Sequence, residues 1–410
     1  MGGVPIARKR TSHHDLGVST LSPLDHARRP PAPGHCPAAQ WLRRGLWVGL
    51  VLLGCWGGVA RAQGPAATIS ISEARAATNA ATRRSTAWEG PTSGPRAQTG
   101  KTIGLVVDDL RNGGILGVAQ GVREAAREIG WSVKLFDAGG TPAGLRDALA
   151  DALGAGHDGL ILIGSDASGN RDSLARFAAR GIPIVGWHVG PKPGPVPDSP
   201  VAMNVTTEPA EVARVTALSA IADSNGKAGV VIFTDSRFGI ALAKSGMMAT
   251  LVRACAGCEL LEVRDVPISE SAARMPIVTK ELLAKYGSRW THALAINDIY
   301  FDYAVPALTV AGVPVGRLSL VSAGDGSPSA FLRIRARSYQ TGTVAEPLNL
   351  QGWQTVDELN RLFAGQPPSR FIAPVHLITS ENIEPDVGPA WVYDPGNGYR
   401  EAYRRIWRVR

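Results

Sequence analysis

Cysteine and histidine are scarce in this 410-residue chain, and the scarcity removes several kinds of chemistry. Two of the four cysteines, Cys36 and Cys55, fall in the first 62 residues, and the other two form one C-x-x-C, Cys255 and Cys258. Past residue 62 only His157, His188, His292 and His376 remain, too scattered to suggest a metal cluster. An excess of one charge is missing from the body of the chain. Residues 1–62 hold eight basic and two acidic residues, which leaves 35 basic and 33 acidic residues for the rest. The pI near 9.5 therefore belongs to the N-terminal segment, and a nucleic-acid interface has no support. Catalytic signatures are absent as well: no G-x-S-x-G elbow, no H-E-x-x-H and no Walker loop. The first strand is followed by DDLRNGG, not G-x-G-x-x-G, so a dinucleotide cofactor is not expected and no residues point to an enzyme.

The N-terminal segment reads as an export signal. Arg43-Arg44 precede GLWVGLVLLGCWGGV, a run shorter than the roughly 20 apolar residues a membrane helix needs. Ala60 and Ala62 fit a cleavage site before Gln63. A lipoprotein-like LLGC ending at Cys55 offers lipidation as an alternative, and a single membrane anchor is another. Export implies an oxidising compartment, where Cys255 and Cys258, between a helical run and a strand, are expected to form a structural disulfide rather than a redox pair.

Residues 63–100 carry no clear apolar period and read as a flexible lead. From Lys101 a regular alternation begins: KTIGLVV, SVKLFDA, DGLILIG and IPIVGWH as strands, with helical periods between them. The pattern recurs through AGVVIFTD, CELLEVRDV, THALAIN and LSLVSAGDG. Near-continuous apolar strands joined by helices predict an α/β fold of two Rossmann-like lobes with parallel sheets. A late strand is expected within RFIAPVHLIT, and Tyr399, Tyr403, Ile406 and Trp407 share one face of a tail helix within 384–410. That face is expected to dock on the body, with partner binding as the alternative.

Polar residues recur where strands end, the edge at which open α/β sheets bind ligands. These are Asp108, Asp109 and Asn112; Ser165 and Asp166; Trp187 and His188; Asp235, Ser236, Arg237 and Phe238; Asn297 and Asp298; and Asp325. Carboxylates and amides suit a hydroxyl-rich ligand, and Trp187 could cover the apolar face of a sugar ring. Each position could instead cap a helix. The expectation is a ligand contact at Asn297, a cap or supporting carboxylate at Asp298, and Tyr300 or Phe301 helping to wall the cleft.

The segments KTIGLVVDDLRNGGILGVAQGVREAAREIGW, IPIVGWH, LAINDIYFDYAVPAL and AGDGSPSAFLRIRARSYQTGTVAEP, in that order, resemble the type I periplasmic binding proteins, notably sugar-binding components of ABC importers. The resemblance covers Lys101 to Ile383. It implies a three-segment hinge, a first lobe of 101–204 plus 347–375, and a second of 205–346 plus 376–383. It also implies cleft roles for Asn112, Asn297, Asp325 and Glu346, the last where many sugar binders have Gln. Gly114 and Ile115 stand where ribose binders have paired phenylalanines, and His188-Val189 replace an Asp-Arg pair, which argues against ribose. A cleft arginine of the second lobe is not evident, although Arg237 or Lys244 could serve. The expected function is an exported, periplasmic solute-binding protein that hands a small polar, sugar-like ligand to an ABC permease in the inner membrane. A periplasmic sensor for a histidine kinase or chemoreceptor is the alternative.

Overall fold

The computed structural model describes residues 68–409; the expected signal segment, the Gln63 cleavage site and Cys55 lie outside the described residues. The described chain opens with helix α1 (Ile71–Ala81). The first lobe then alternates β1 (Thr102–Val107), α2 (Gly113–Glu128), β2 (Ser132–Asp137), α3 (Pro142–Gly154), β3 (Gly159–Ile163), α4 (Arg171–Ala178), β4 (Ile184–Trp187) and β5 (Val201–Val205). Its sheet is wholly parallel in the order β2-β1-β3-β4-β5. Strand β3 is buried along its whole length, as an unbroken apolar run between two helix layers must be. Strand β5 has no counterpart among the expected strands, because VAMNV is short and follows a proline-rich turn.

The second lobe continues with α5 (Pro209–Asp223), β6 (Gly229–Thr234), α6 (Gly239–Ala254), β7 (Glu259–Asp265), α7 (Ser271–Tyr286), β8 (His292–Ala295), α8 (Ile299–Val310), β9 (Ser319–Ser322), α9 (Pro328–Arg335) and β10 (Gln340–Ala345). The chain then returns through α10 (Leu348–Phe363), which packs on α2 and the first sheet, before β11 (His376–Thr379) adds antiparallel to β10. The second order is β11-β10-β9-β8-β6-β7. Without β11 it repeats the first lobe strand for strand, so each sheet has its topological switch beside its first strand. Of RFIAPVHLIT, only His376–Thr379 pairs as a strand. Close approach of α10 to α2 requires Gly352, where an added Cβ would stand 2.6 Å from the Val118 carbonyl oxygen.

The repetition extends to the turns that leave β1 and β6. Asp109-Leu110-Arg111 and Asp235-Ser236-Arg237 adopt the same fork. In each, the aspartate accepts from the arginine backbone N–H at 3.0 Å and from its guanidinium at 2.6–3.2 Å. A helix starts two residues later at Gly113 or Gly239.

Residues 68–100, expected to be a flexible lead, are instead docked along both lobes. Ser70 caps α1, whose Ala74 is buried with Leu218, Ile221 and Cys255 of the second lobe. Cys255 and Cys258 are bonded to each other there. Farther on, Trp88 packs against Phe371 and Tyr403, and the Gln98 N–H donates to Asn360 on the first lobe. Alanine-rich sequence hid this: small residues give a weak period yet let α1 approach α5 closely.

The tail also crosses. Helix α11 (Ile383–Val387) packs on α9 and β11, while α12 (Tyr399–Trp407) buries Tyr399, Tyr403, Ile406 and Trp407 on the first lobe. Trp407 stacks on Trp353, and its indole N–H donates to Asp357 at 2.8 Å. Trp407→Ala is expected to cost about 3–5 kcal/mol through the cavity it leaves, read as a lower midpoint of urea unfolding; an unchanged midpoint would mean that the tail is not part of the core.

Candidate functional site

The two lobes face each other across their strand ends and enclose a cavity of about 50 Å³. The first lobe supplies Asp108, Asp109, Asn112, Trp187 and His188, and the second Phe238, Lys244, Asn297 and Asp325. Ile115, Ile240, Ile268 and Ile296 form apolar wall that no strand-end pattern announced, since three of them belong to helix starts or loops. A larger outer cavity of about 680 Å³ shares Asp108 and Phe238 with the inner one and is lined further by Ser165, Asp166 and Arg237.

The inner polar groups form one network across the lobes. Asn112 ends the turn before α2, and its side-chain oxygen accepts from the Gly114 N–H at 3.0 Å. Asn297 Nδ2 donates to Asp325 Oδ2 at 2.7 Å and approaches Asn112 Oδ1 at 3.5 Å. Gly114 is what admits Asp325 to the first turn of α2: a Cβ there would lie 2.1 Å from Asp325 Oδ2. Trp187 stacks on His188 with ring centroids 3.6 Å apart, and its indole donates to Gln351.

Glu346 lies beneath this network rather than on the cavity wall, a departure from its expected ligand role. Its carboxylate meets His188 Nε2 at 3.0 Å and accepts from Gln351 Nε2 at 2.8 Å and from the Thr207 N–H at 3.4 Å. Lys244 Nζ stands 3.6 Å away and donates to the Ala323 carbonyl. Burial alone would raise Glu346, but His188, Lys244 and Gln351 hold it well below the usual carboxylate range. His188, Asp325 and Glu346 each offer a ligand atom within 4.8 Å of the others, a spacing that could hold a metal. The Lys244 ammonium already supplies the positive charge there, so the group fits an ion-pair network better than a cation site.

Four other expected site residues have different work. Asp235 is fully buried and committed to Arg237 and to the Ile268 N–H, so it faces neither cavity. Arg237, held by that aspartate, lies over Phe238 and lines only the outer cavity. Asp166 reaches across the lobes, where its Oδ2 accepts from the Gly239 N–H at the start of α6 at 3.0 Å. Asp298 makes no side-chain helix cap; it accepts from Gly326 and Ser327 N–H groups and from Gln340, holding the loop that carries Asp325. Asn297 performs the local turn instead, accepting from the Ile299 N–H. Tyr300 and Phe301 are core residues and wall nothing, and the Tyr300 hydroxyl donates to the Val266 carbonyl. Lys244, a possible substitute for an arginine, is the one charge in the first three turns of α6, set between apolar residues, and that contrast is its signal.

Burial pushes Asp108 and Asp325 up to about 6 each. Both hold protons in the folded chain at pH values where the unfolded chain has released them, so their contribution to stability is present below the ordinary value of 3.8 and is lost as the pH rises through about 6. Glu346 acts oppositely, and its contribution is lost as the pH falls below 4.5. The melting temperature is therefore expected to rise as the pH drops from about 7.5 to about 5, and to rise less in Asp325→Asn. A wild-type melting temperature that falls over that window would contradict the burial argument. Gly114→Ala is expected to keep both lobes folded but hold them apart, seen as a larger radius of gyration in X-ray scattering with unchanged circular dichroism; an unchanged radius would show that Asp325 can yield.

Comparison with known proteins accords with this geometry. Residues 103–367 match the family described as periplasmic binding protein domain. Among solved structures, an ABC transporter solute binding protein from Agrobacterium vitis with bound allitol aligns with a TM-score of 0.60 and 19% identity, over 70% of this chain and 98% of that one. A Mycobacterium smegmatis ABC transporter solute binding protein with bound glycerol gives 0.63 and 17%, over 72% and 99%. The Caulobacter myo-inositol binding protein bound to myo-inositol gives 0.62 and 17%, over 72% and 98%. No curated protein matches the sequence.

Proposed function

Because the chain belongs to the periplasmic binding protein family, we propose that it is an exported solute-binding protein that captures a small sugar or polyol between its lobes and delivers it to an ABC permease. The observation that carries this reading is the convergence of Asn112 from one lobe with Asn297 and Asp325 from the other on a single cavity at the strand ends. Amides and carboxylates in that arrangement match the mixed donors and acceptors of neighbouring hydroxyls, and the Trp187 ring offers an apolar face. A cavity of about 50 Å³ holds little more than a water or two, at roughly 30 Å³ each. A sugar ring therefore needs the lobes parted farther than they stand here, and its capture between them changes the outer surface offered to a membrane partner. The neighbours named above, which bind allitol, glycerol and myo-inositol, support the ligand class by analogy. No observation favours the sensor reading.

Isothermal titration calorimetry of the purified protein against sugars, polyols and organic acids tests the proposal. Binding of a sugar or polyol is expected, and Asn297→Ala is expected to weaken it by about 1–3 kcal/mol, the cost of orphaning buried polar partners. Unchanged affinity in the variant would remove Asn297 from the site, and an organic acid bound in preference would reject the ligand class.

A further inference from the structure

Three carboxylates and two guanidinium groups, those of Asp108, Asp109, Asp235, Arg111 and Arg237, follow β1 and β6. Arg111 is bonded through both carboxylate oxygens to Asp109, and Arg237 likewise to Asp235. Asp108 is left over: among the described residues no ion pair reaches it, although it lines both cavities. Its counterpart in the repeated second lobe, one residue before the fork, is the neutral Thr234. Deeper in, Glu346 lies against Lys244 and His188, and Asp325 accepts from Asn297. The outer cavity is also lined by Arg146 and Arg171, and among the described residues neither forms an ion pair with Asp108. Beside Asp108 the Ser165 hydroxyl, 1% exposed, has no other hydrogen-bond partner and favours the charged form of that carboxyl. Burial is the main reason the Asp108 carboxyl is pushed up, and Arg237 and the Ser165 hydroxyl offset it only in part.

Building on the solute-binding reading, we propose that the ligand carries one ammonium group, as an amino sugar or amino polyol does, and that Asp108 receives it. The ammonium supplies the positive charge that neither fork leaves free, on the carboxylate that the Ser165 hydroxyl also faces. The hydroxyls at the other end of the ligand meet Asn112, Asn297 and Asp325. A neutral sugar leaves Asp108 uncompensated, so the site discriminates by charge as well as by shape.

Calorimetry with matched sets tests this: glucose, glucosamine and N-acetylglucosamine; galactose and galactosamine; myo-inositol and an amino-inositol. In at least one set the amine is expected to bind about ten-fold or more tightly than its neutral and acetylated counterparts, a gap typical of one desolvated ion pair. The advantage should shrink as the pH falls below about 6, where Asp108 takes up a proton. It should vanish in Asp108→Asn and in Asp108→Thr, the latter copying the second lobe, with circular dichroism confirming that both fold. Neutral members binding as well as their amines would overturn the ammonium assignment and leave the solute-binding reading standing. A preference retained by both variants would overturn the role of Asp108, and silence across every set would count against both readings.

Discussion

The Glu346 carboxylate is the junction on which the closed arrangement depends. It follows the second lobe's last parallel strand, yet its partners come from both sides: His188 just after β4, Lys244 from α6, Gln351 from α10 and the Thr207 N–H from the first crossover. Two of the three interlobe crossings, at 206–208 and 346–347, are thereby tied to one anion. An unpaired buried charge costs about 3–5 kcal/mol, so none of these partners can leave without another taking its place. The same junction fixes the stacked Trp187 and His188 above it, and a hinge constraint becomes the floor of a binding cavity.

Above that floor, the molecule is built twice. Both lobes share one strand order, and both leave their first strand through the same aspartate–arginine fork. The forks are self-satisfied, so they shape the rim without presenting charge to it. Function resides in what breaks the repetition: Asp108 against Thr234, and Asn112 against Phe238 at the positions preceding α2 and α6. Two nearly equivalent halves can thus present a polar edge on one side and an aromatic edge on the other.

Much of the architecture was legible in the sequence because buried parallel strands leave unbroken apolar runs and helices leave a longer period. The strand-end rule also picked out residues that the fold brings together, since Asp108, Asn112, Trp187, His188, Phe238, Asn297 and Asp325 all line the inner cavity. It could not separate residues that face the cavity from those spent on the backbone. Asp235 and Asp298 sit at strand ends too, but nearby N–H groups and cations, brought close only by the fold, absorb them. Glu346 was misplaced for a related reason: a glutamate at a glutamine position reads as a ligand contact until His188 and Lys244 are seen beneath it. The lead at 68–100 was misread because its hold on the body depends on a few distant partners such as Phe371 and Asn360, which have no local pattern.

Those flanking segments bear on how the molecule moves. The lead runs from α5 of the second lobe to the first, and the tail makes the same passage between α11 and α12. The two are pinned together where Arg84 pairs with Asp386 and Asn382 donates to the Thr82 carbonyl. Five strands of chain, not three, thus join the lobes. One end of the described chain is attached to each lobe, so any change in the angle between them is transmitted as a displacement between residues near 70 and residues near 407.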